Sequence, residues 1–301
     1  MLLPWLLVTG CPPPAEVPLD SRPESLVDSP TDSPQDSQPQ PFEVEWEVLL
    51  EDFVVLRGNL PAQVEDCLAL VDAPCADLDQ DGLVDAWEDE VLRTYHPTRV
   101  LDEAEPAFND DSTLADVGRV APLGDGVGVF IMLGWSVDYG RCGVSGHNGD
   151  SERVALKLHV EGDRAVVDAV YTAAHEGTAL DHGRVVTDLS TLSVSAEPRW
   201  RVFVSEGKHA TYTSVDVCEN VSFVPCVDED CAPDGVNQPL DYERLPSVYN
   251  AGEEGHPRLT ALDEVGFPGD DAWAHQPFCG GLDRGGSCSS AVREKLLVDP
   301  F

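Results

Sequence analysis

"GHNGDSERVALKLHV", Gly146 to Val160, decides how this chain is read. From Val154 onward it alternates. Val154, Leu156, Leu158 and Val160 fall on one face, and Ala155, Lys157 and His159 on the other. That two-residue period belongs to a half-buried strand. Carried backward, it places Glu152 and Asp150 on the apolar face, with His147 three residues before Asp150. If the strand starts only at Arg153, the two acids lie in a solvated loop. If it starts earlier, a carboxylate pair faces the core, where desolvation and mutual repulsion both oppose it. A divalent cation would remove that penalty. Asp138 lies nine residues before His147, across the turn "YGRCGVSG". Two strands joined there would bring it alongside. Asp138, His147, Asp150 and Glu152 are therefore the expected ligands of a metal at the open end of a sheet.

The rest of the body repeats the strand signal. Runs near 127–137, 152–161, 164–174, 184–194 and 199–206 are separated by Gly, Asp and Pro turns. Helical patterns are confined to 62–72, 86–95 and 290–297. The expected fold is mainly β: an antiparallel β-sandwich with a few short helices, long disulfide-linked loops and an N-terminal EF-hand-like loop. The expected organisation has a signal segment at 1–11, a linker at 12–42, a small helical segment with the calcium loop at 43–98, and the sandwich at 99–301. The sandwich would end in a cysteine-rich wrap.

That calcium loop is "DLDQDGLVDAWE", Asp77 to Glu88. Asp77, Asp79 and Asp81 occupy positions 1, 3 and 5 of a twelve-residue loop. Gly82 stands at the sharp turn, Leu83 offers its carbonyl at 7, Asp85 takes 9, and Glu88 closes the loop as a bidentate ligand. Pro74 and Cys75 interrupt any incoming helix, and no second loop pairs with this one. The expectation is a calcium staple rather than a sensor.

With 56 acidic and 18 basic residues the net charge is -38, which excludes nucleic acid as a partner because nothing would neutralise phosphates. The opening "MLLPWLLVTGC" is too short to span a bilayer. It resembles the end of a bacterial lipoprotein signal peptide, with Cys11 as the lipidated residue, although a positive leading region is missing. Residues 12–42 are Pro, Ser and Asp with almost nothing to bury, the composition of an extended stalk. These features predict an extracytoplasmic protein anchored to a bacterial membrane through lipid.

The nine cysteines leave an even number once Cys11 is set aside, as expected of disulfides in an exported chain. Cys67–Cys75 and Cys279–Cys288 are plausible local pairs. A zinc site at Cys226 and Cys231 is the weaker alternative, since no second close pair flanks them.

"GHNGDSE" is similar to the G-H-R-H-D-W-E heptapeptide of the necrosis- and ethylene-inducing (NPP1-like) proteins. In that family the matching His, Asp and Glu, with an earlier Asp, hold a divalent metal at the end of a β-sandwich. The resemblance carries this role to His147, Asp150, Glu152 and Asp138. Here Asn148 and Gly149 replace Arg-His, and Ser151 replaces Trp. Three stretches in order also resemble landmarks of Vps62-related proteins: "LRTYHPTRVLDEAEPAFND" (92–110), "HNGDSERV" (147–154) and "RVFVSEGKHATYTS" (201–214). The resemblance makes His209 a candidate further ligand or proton-transfer group. His175 and the pair Asp181-His182 are weaker candidates. "VDEDCAPD" (227–234) is a second acidic loop, more simply read as solvated, and Trp273, His275 and Phe278 cap the core or form a recognition loop.

Two functions compete, against a third reading in which this is a purely structural surface protein and every metal is a staple. One is a binding module, in which calcium and a second divalent cation (magnesium, calcium or manganese) support recognition of a surface glycan or lipid headgroup. The other is a metal-dependent hydrolase using the His147/Asp150/Glu152 cluster with His209 as base. No nucleophile elbow, H-E-x-x-H or phosphate-binding glycine loop favours the second.

Overall fold

The computed structural model describes residues 46–49, 55–58, 60–70, 73–102, 104–105, 116–140, 146–162, 164–176, 181–193, 200–220, 229–231, 236–238, 249–250 and 292–301. Cys11, the segments 1–11 and 12–42, Cys142, Cys226, the pair Cys279–Cys288, and the aromatics Trp273, His275 and Phe278 lie outside these residues. So does the side chain of His147.

In chain order the strands are β1 (Trp46–Leu49), β2 (Val55–Gly58), β3 (Thr98–Leu101), β4 (Val117–Leu123), β5 (Gly126–Asp138) and β6 (His147–Glu161). They continue with β7 (Arg164–Thr172), β8 (Arg184–Val186), β9 (Arg201–Val204), β10 (Thr211–Tyr212), β11 (Val236–Gln238) and β12 (Tyr249–Asn250). The helices are short: α1 (Val64–Cys67), α2 (Asp85–Tyr95), α3 (Val215–Glu219) and α4 (Val292–Leu297). The large sheet runs β1-β2-β7-β6-β5-β4-β12, with β8 also paired to β7, and the smaller sheet runs β10-β9-β3-β11. The expected mainly antiparallel, mainly β architecture is observed. Two pairings are parallel, β3 with β9 and β4 with β12.

The quoted stretch answers its own question. β6 begins at His147, not at Arg153. Its register with β5 is unbroken and sets Asp150 opposite Trp135, Glu152 opposite Leu133, Val154 opposite Ile131, Leu156 opposite Val129 and Leu158 opposite Val127. Directly paired residues share a face, so the two carboxylates continue the core stripe. That stripe packs with Leu101, Val202 and Val204 of the smaller sheet and with Trp87, Val91 and Leu92 of α2. A second cluster, Val100, Phe203, Ala210, Tyr212 and Cys218, lies on the other side of the smaller sheet.

Residues 43–98 do not stand apart. Phe42–Phe301 form one compact unit, β1 and β2 extend the large sheet, and α2 shares the main core. α2 meets β4 at Gly118, where a Cβ would come within 2.3 Å of Leu92 Cδ1. Gly118→Ala is therefore expected to destabilise by about 1–3 kcal/mol through overpacking, read as a lower denaturation midpoint with an unchanged denaturant slope.

Several elements differ from expectation. The helix expected over 62–72 is only Val64–Cys67, because the Cys67–Cys75 bridge folds the chain back toward the loop entry. The strand expected over 184–194 stops at Val186, and a 3-10 turn follows at Leu189–Thr191, its start held by Asp188 accepting from the Ser190 N–H. Cys231 pairs with Cys218, so the zinc alternative for Cys226 and Cys231 fails: the Cys231 sulfur is already in a covalent bond.

Candidate metal centre and buried histidine cluster

The EF-hand-like loop is built by local hydrogen bonds before any ion enters. Asp77 Oδ1 and Oδ2 accept from the Asp81 and Gly82 N–H groups at 3.2 and 3.1 Å, and Asp81 Oδ1 accepts from the Leu83 N–H at 2.8 Å. Gly82 has φ +92, in the left-handed region open to glycine. Leu83 is anchored to the core and faces Gln63 in an isolated antiparallel bridge. Ligand atoms of Asp77, Asp79 and Asp81 lie within 4.8 Å of one another, and so do those of Asp79, Asp85 and Glu88.

Glu88 is the decisive residue. It is fully buried, and neither carboxylate oxygen has a hydrogen-bond partner. Burial, and then the negative charges of Asp81, Asp79, Asp85 and Asp89, push its pKa up to about 10. A carboxylate held this way without a cation is strongly unfavourable. The donor set of carboxylate oxygens on a twelve-residue loop suits Ca²⁺, so Asp77, Asp79, Asp81, Asp85, Glu88 and the Leu83 carbonyl fit that ion.

The second cluster sits at the end of the core stripe. Asp138 and His147 are paired residues on β5 and β6, so the two strands do join there. Asp138 Oδ1 accepts from the Gly140 N–H at 2.5 Å, and Lys208 Nζ lies 3.4 Å from its Oδ2. Asp150 Oδ1 accepts from the Ser151 N–H at 2.8 Å, and Oδ2 faces His209. Glu152 is buried, and its Oε2 has no hydrogen-bond partner. Burial raises its pKa to about 8; the Lys295 charge opposes this and Asp150 adds to it. Among the described residues, the carboxylates of Asp138, Asp150 and Glu152 do not converge as a metal-holding group, whereas those of the EF-hand-like loop form two overlapping ones.

His209 lies deeper than a catalytic group would. It is 0% exposed and stacks on Trp135, with ring centroids 4.5 Å apart and 5° between the planes. Its Nδ1 donates to Asp150 Oδ2 at 2.9 Å and its Nε2 to Glu105 Oε1 at 3.3 Å. Glu105 is itself buried and accepts the Gly207 N–H at 2.7 Å. Burial alone would lower the His209 pKa, but the two carboxylate hydrogen bonds outweigh it and raise the pKa to about 9. The ring is thus an imidazolium at neutral pH, with no lone pair to act as a base. The Arg99 guanidinium also lies over Trp135, 5.0 Å from the ring centroid.

His175 has φ +56, and its Nε2 pairs with Glu229 at 2.6 Å. Burial works against the proton on His175, but Glu229 holds its pKa above the ordinary value. The acidic loop is thereby tied to the core, as is the backbone Glu206 N–H, which donates to the Asp230 carbonyl. Asp181 accepts from the Gly183 N–H and His182 N–H donates to the Ala174 carbonyl, the bonding of a turn. Glu105 and Glu229 were not singled out in the sequence as site residues. Each lies inside a quoted stretch, but neither has a periodic or spacing signal of its own.

No family model matches the chain, and no curated protein matches it. Solved structures do. The chain is similar in fold to necrosis- and ethylene-inducing proteins. One such structure is described as "Toxin fold for microbial attack and plant defense", with 14% identity and TM-score 0.34, covering 61% of this chain and 82% of the other. Another is NLPPya in complex with glucosamine, at 13% identity and TM-score 0.34, covering 64% and 82%. A third is Necrosis and Ethylene inducing Protein 2 from the causal agent of cocoa's Witches Broom disease, at 13% identity and TM-score 0.27, covering 48% and 69%.

Proposed function

We propose that the chain is an extracytoplasmic, lipid-anchored calcium-binding protein. In this reading Asp138, His147, Asp150 and Glu152 hold a second divalent cation and, through it, a surface glycan or lipid headgroup. The observation that carries the reading is Glu88, buried with both oxygens unpartnered in a loop of converging carboxylates. The orphaned Glu152 Oε2 supports the second cation in the same way. Binding is favoured over hydrolysis because His209, the candidate base, is a buried cation with both nitrogens engaged. Calcium would supply charge neutralisation at the loop, while the chain's own residues fix the α2 entry angle and close the core over Leu83.

Metal content by mass spectrometry tests this on the wild type, Asp79→Ala and Asp150→Ala, after exchange through calcium-containing and then metal-free buffer. Asp79→Ala should lose the calcium of the loop. Asp150→Ala should keep it and lose a separate metal. Retention of all metal by Asp150→Ala would reduce the reading to the calcium staple alone. Chelator-sensitive retention on glycan or lipid supports, without release of product, would separate binding from turnover.

A further inference from the structure

The EF-hand-like loop is gripped from outside by one turn of helix. Just before and at the start of α1, segment 62–64 lies antiparallel to segment 82–84. The Val64 N–H donates to the Gly82 carbonyl at 3.1 Å, the Val84 N–H donates to the Ala62 carbonyl at 2.9 Å, and Gln63 faces Leu83 between them. At the other end of α1, Cys67 is bonded to Cys75, two residues before the first loop aspartate. One four-residue helix therefore holds the second half of the loop by hydrogen bonds and its entry by a covalent bond. The two halves also meet directly. The Asp85 N–H donates to the Ala76 carbonyl at 2.9 Å, and Asp85 Oδ1 accepts from the Leu78 N–H at 3.1 Å.

Each attachment bears on a ligand position. A trans peptide is planar, with its N–H and carbonyl on opposite sides. The bond from the Val84 N–H to Ala62 thus fixes the direction of the Leu83 carbonyl, the ligand expected at position 7. The disulfide holds the segment that leads into Asp77. The grip is itself anchored. Leu60, Ala62 and Cys67 are buried in the main core with Leu83 and Val84, and Cys75 packs against it. α1 has no side-chain cap, and a single helical turn has little stability of its own. The disulfide, rather than the helix, keeps the two attachments at a fixed separation.

We propose that the Cys67–Cys75 disulfide sets the calcium affinity of the loop by holding its ligands in place before the ion arrives, so that calcium occupancy and the oxidation state of this bridge are coupled. The inference rests on the reading of loop 77–88 as a calcium site. A loop that is already ordered gives up less freedom on binding. Without the bridge the ion must order the entry as well, at the cost of roughly one residue of backbone, so affinity should fall about tenfold. The coupling is reciprocal: calcium should oppose reduction of the bridge by the same factor. For a two-electron couple that factor is about 30 mV. The reduction is exchange with a dithiol. The bond between the Cys67 and Cys75 sulfurs breaks, both sulfurs end as thiols, and the dithiol gives up its two protons and two electrons to become a disulfide.

The test has two arms. In the first, calcium is titrated by calorimetry into calcium-depleted full-length wild type, Cys67→Ser/Cys75→Ser and Glu88→Gln. The double variant should bind about tenfold more weakly than the wild type, and Glu88→Gln should lose the site. In the second, the wild type is equilibrated in mixtures of reduced and oxidised dithiothreitol, with and without saturating calcium. Alkylation and peptide mass spectrometry then read each bridge separately. Half-reduction of Cys67–Cys75 should need about a tenfold higher ratio of reduced to oxidised dithiol when calcium is bound, while Cys218–Cys231 should not move. The second arm contains no substitution, so it decides the matter if the double variant folds poorly. If calcium leaves reduction of Cys67–Cys75 unchanged, or shifts both bridges equally, the coupling is overturned, and the calcium site stands as long as Glu88→Gln has lost it. If Glu88→Gln binds calcium as the wild type does, both are overturned.

Discussion

Removing calcium with a chelator is expected to lower the thermal midpoint of the protein by about 10 °C. A ligand held a thousandfold below its free concentration contributes about 4 kcal/mol, and a chain of this size shifts roughly 2–4 °C per kcal/mol. Glu88→Gln makes the test specific. The amide keeps the volume of the side chain and drops the charge that burial and four neighbouring aspartates oppose. Without calcium, Glu88→Gln should be as stable as the wild type or more so. With calcium it should be the less stable protein, because the bidentate ligand is gone. Crossed midpoints in calorimetry with and without chelator identify a carboxylate kept for its ion; a uniform loss in both buffers would mean Glu88 matters only for packing. In the calcium-free protein the pH dependence has a definite sign. Glu88 has a folded pKa above its ordinary value, so its contribution is fully present below the unfolded pKa and is lost as pH rises toward the folded one. Calcium should remove this loss.

The strands that carried the argument were legible because they are long. β5 stands out as a long apolar run buried on both faces, β6 by its alternation, and the acids of β6 obey the same period as its valines and leucines. The EF-hand-like loop was legible because its pattern is local: seven positions within twelve consecutive residues need no tertiary information. The short strands β3, β10, β11 and β12 were not, since two to four residues carry no measurable period. β4 was hidden by its own composition: "VGRVAPL" places Gly118, Arg119 and Pro122 in a strand, where Arg119 is needed for α4 and Gly118 for the approach of Leu92. The Cys218–Cys231 bridge could not be read because eight cysteines allow many pairings and no local spacing singles this one out. Glu105 stayed hidden for a related reason. Its partners, Gly207 and His209, lie about a hundred residues away in sequence, and only the β3–β9 pairing places them side by side.

His209→Ala is expected to cost about 3–5 kcal/mol, the range for breaking a buried ion pair by removing one partner. The reason lies in what remains. Asp150 Oδ2 and Glu105 Oε1 both lose the imidazolium that lies between them, and Trp135 loses the ring stacked on one of its faces. Two buried carboxylates then face a cavity. If His209 were instead a base for hydrolysis, its replacement would remove turnover and leave stability nearly intact, so urea denaturation separates the two roles. The pH dependence adds a second check. The folded pKa of about 9 stands above the ordinary value of 6.5. The stabilisation is therefore complete below about pH 6.5 and fades as pH rises through 9. A difference of this size corresponds to roughly 3 kcal/mol. His209→Gln retains one donor without the charge, and should flatten the alkaline loss while lowering stability at neutral pH. Double replacement with Glu105→Gln should recover part of the cost, because one of the two stranded charges is then gone. Additive losses in that cycle would mean the two groups do not interact, and the buried triad would no longer account for the depth at which His209 lies.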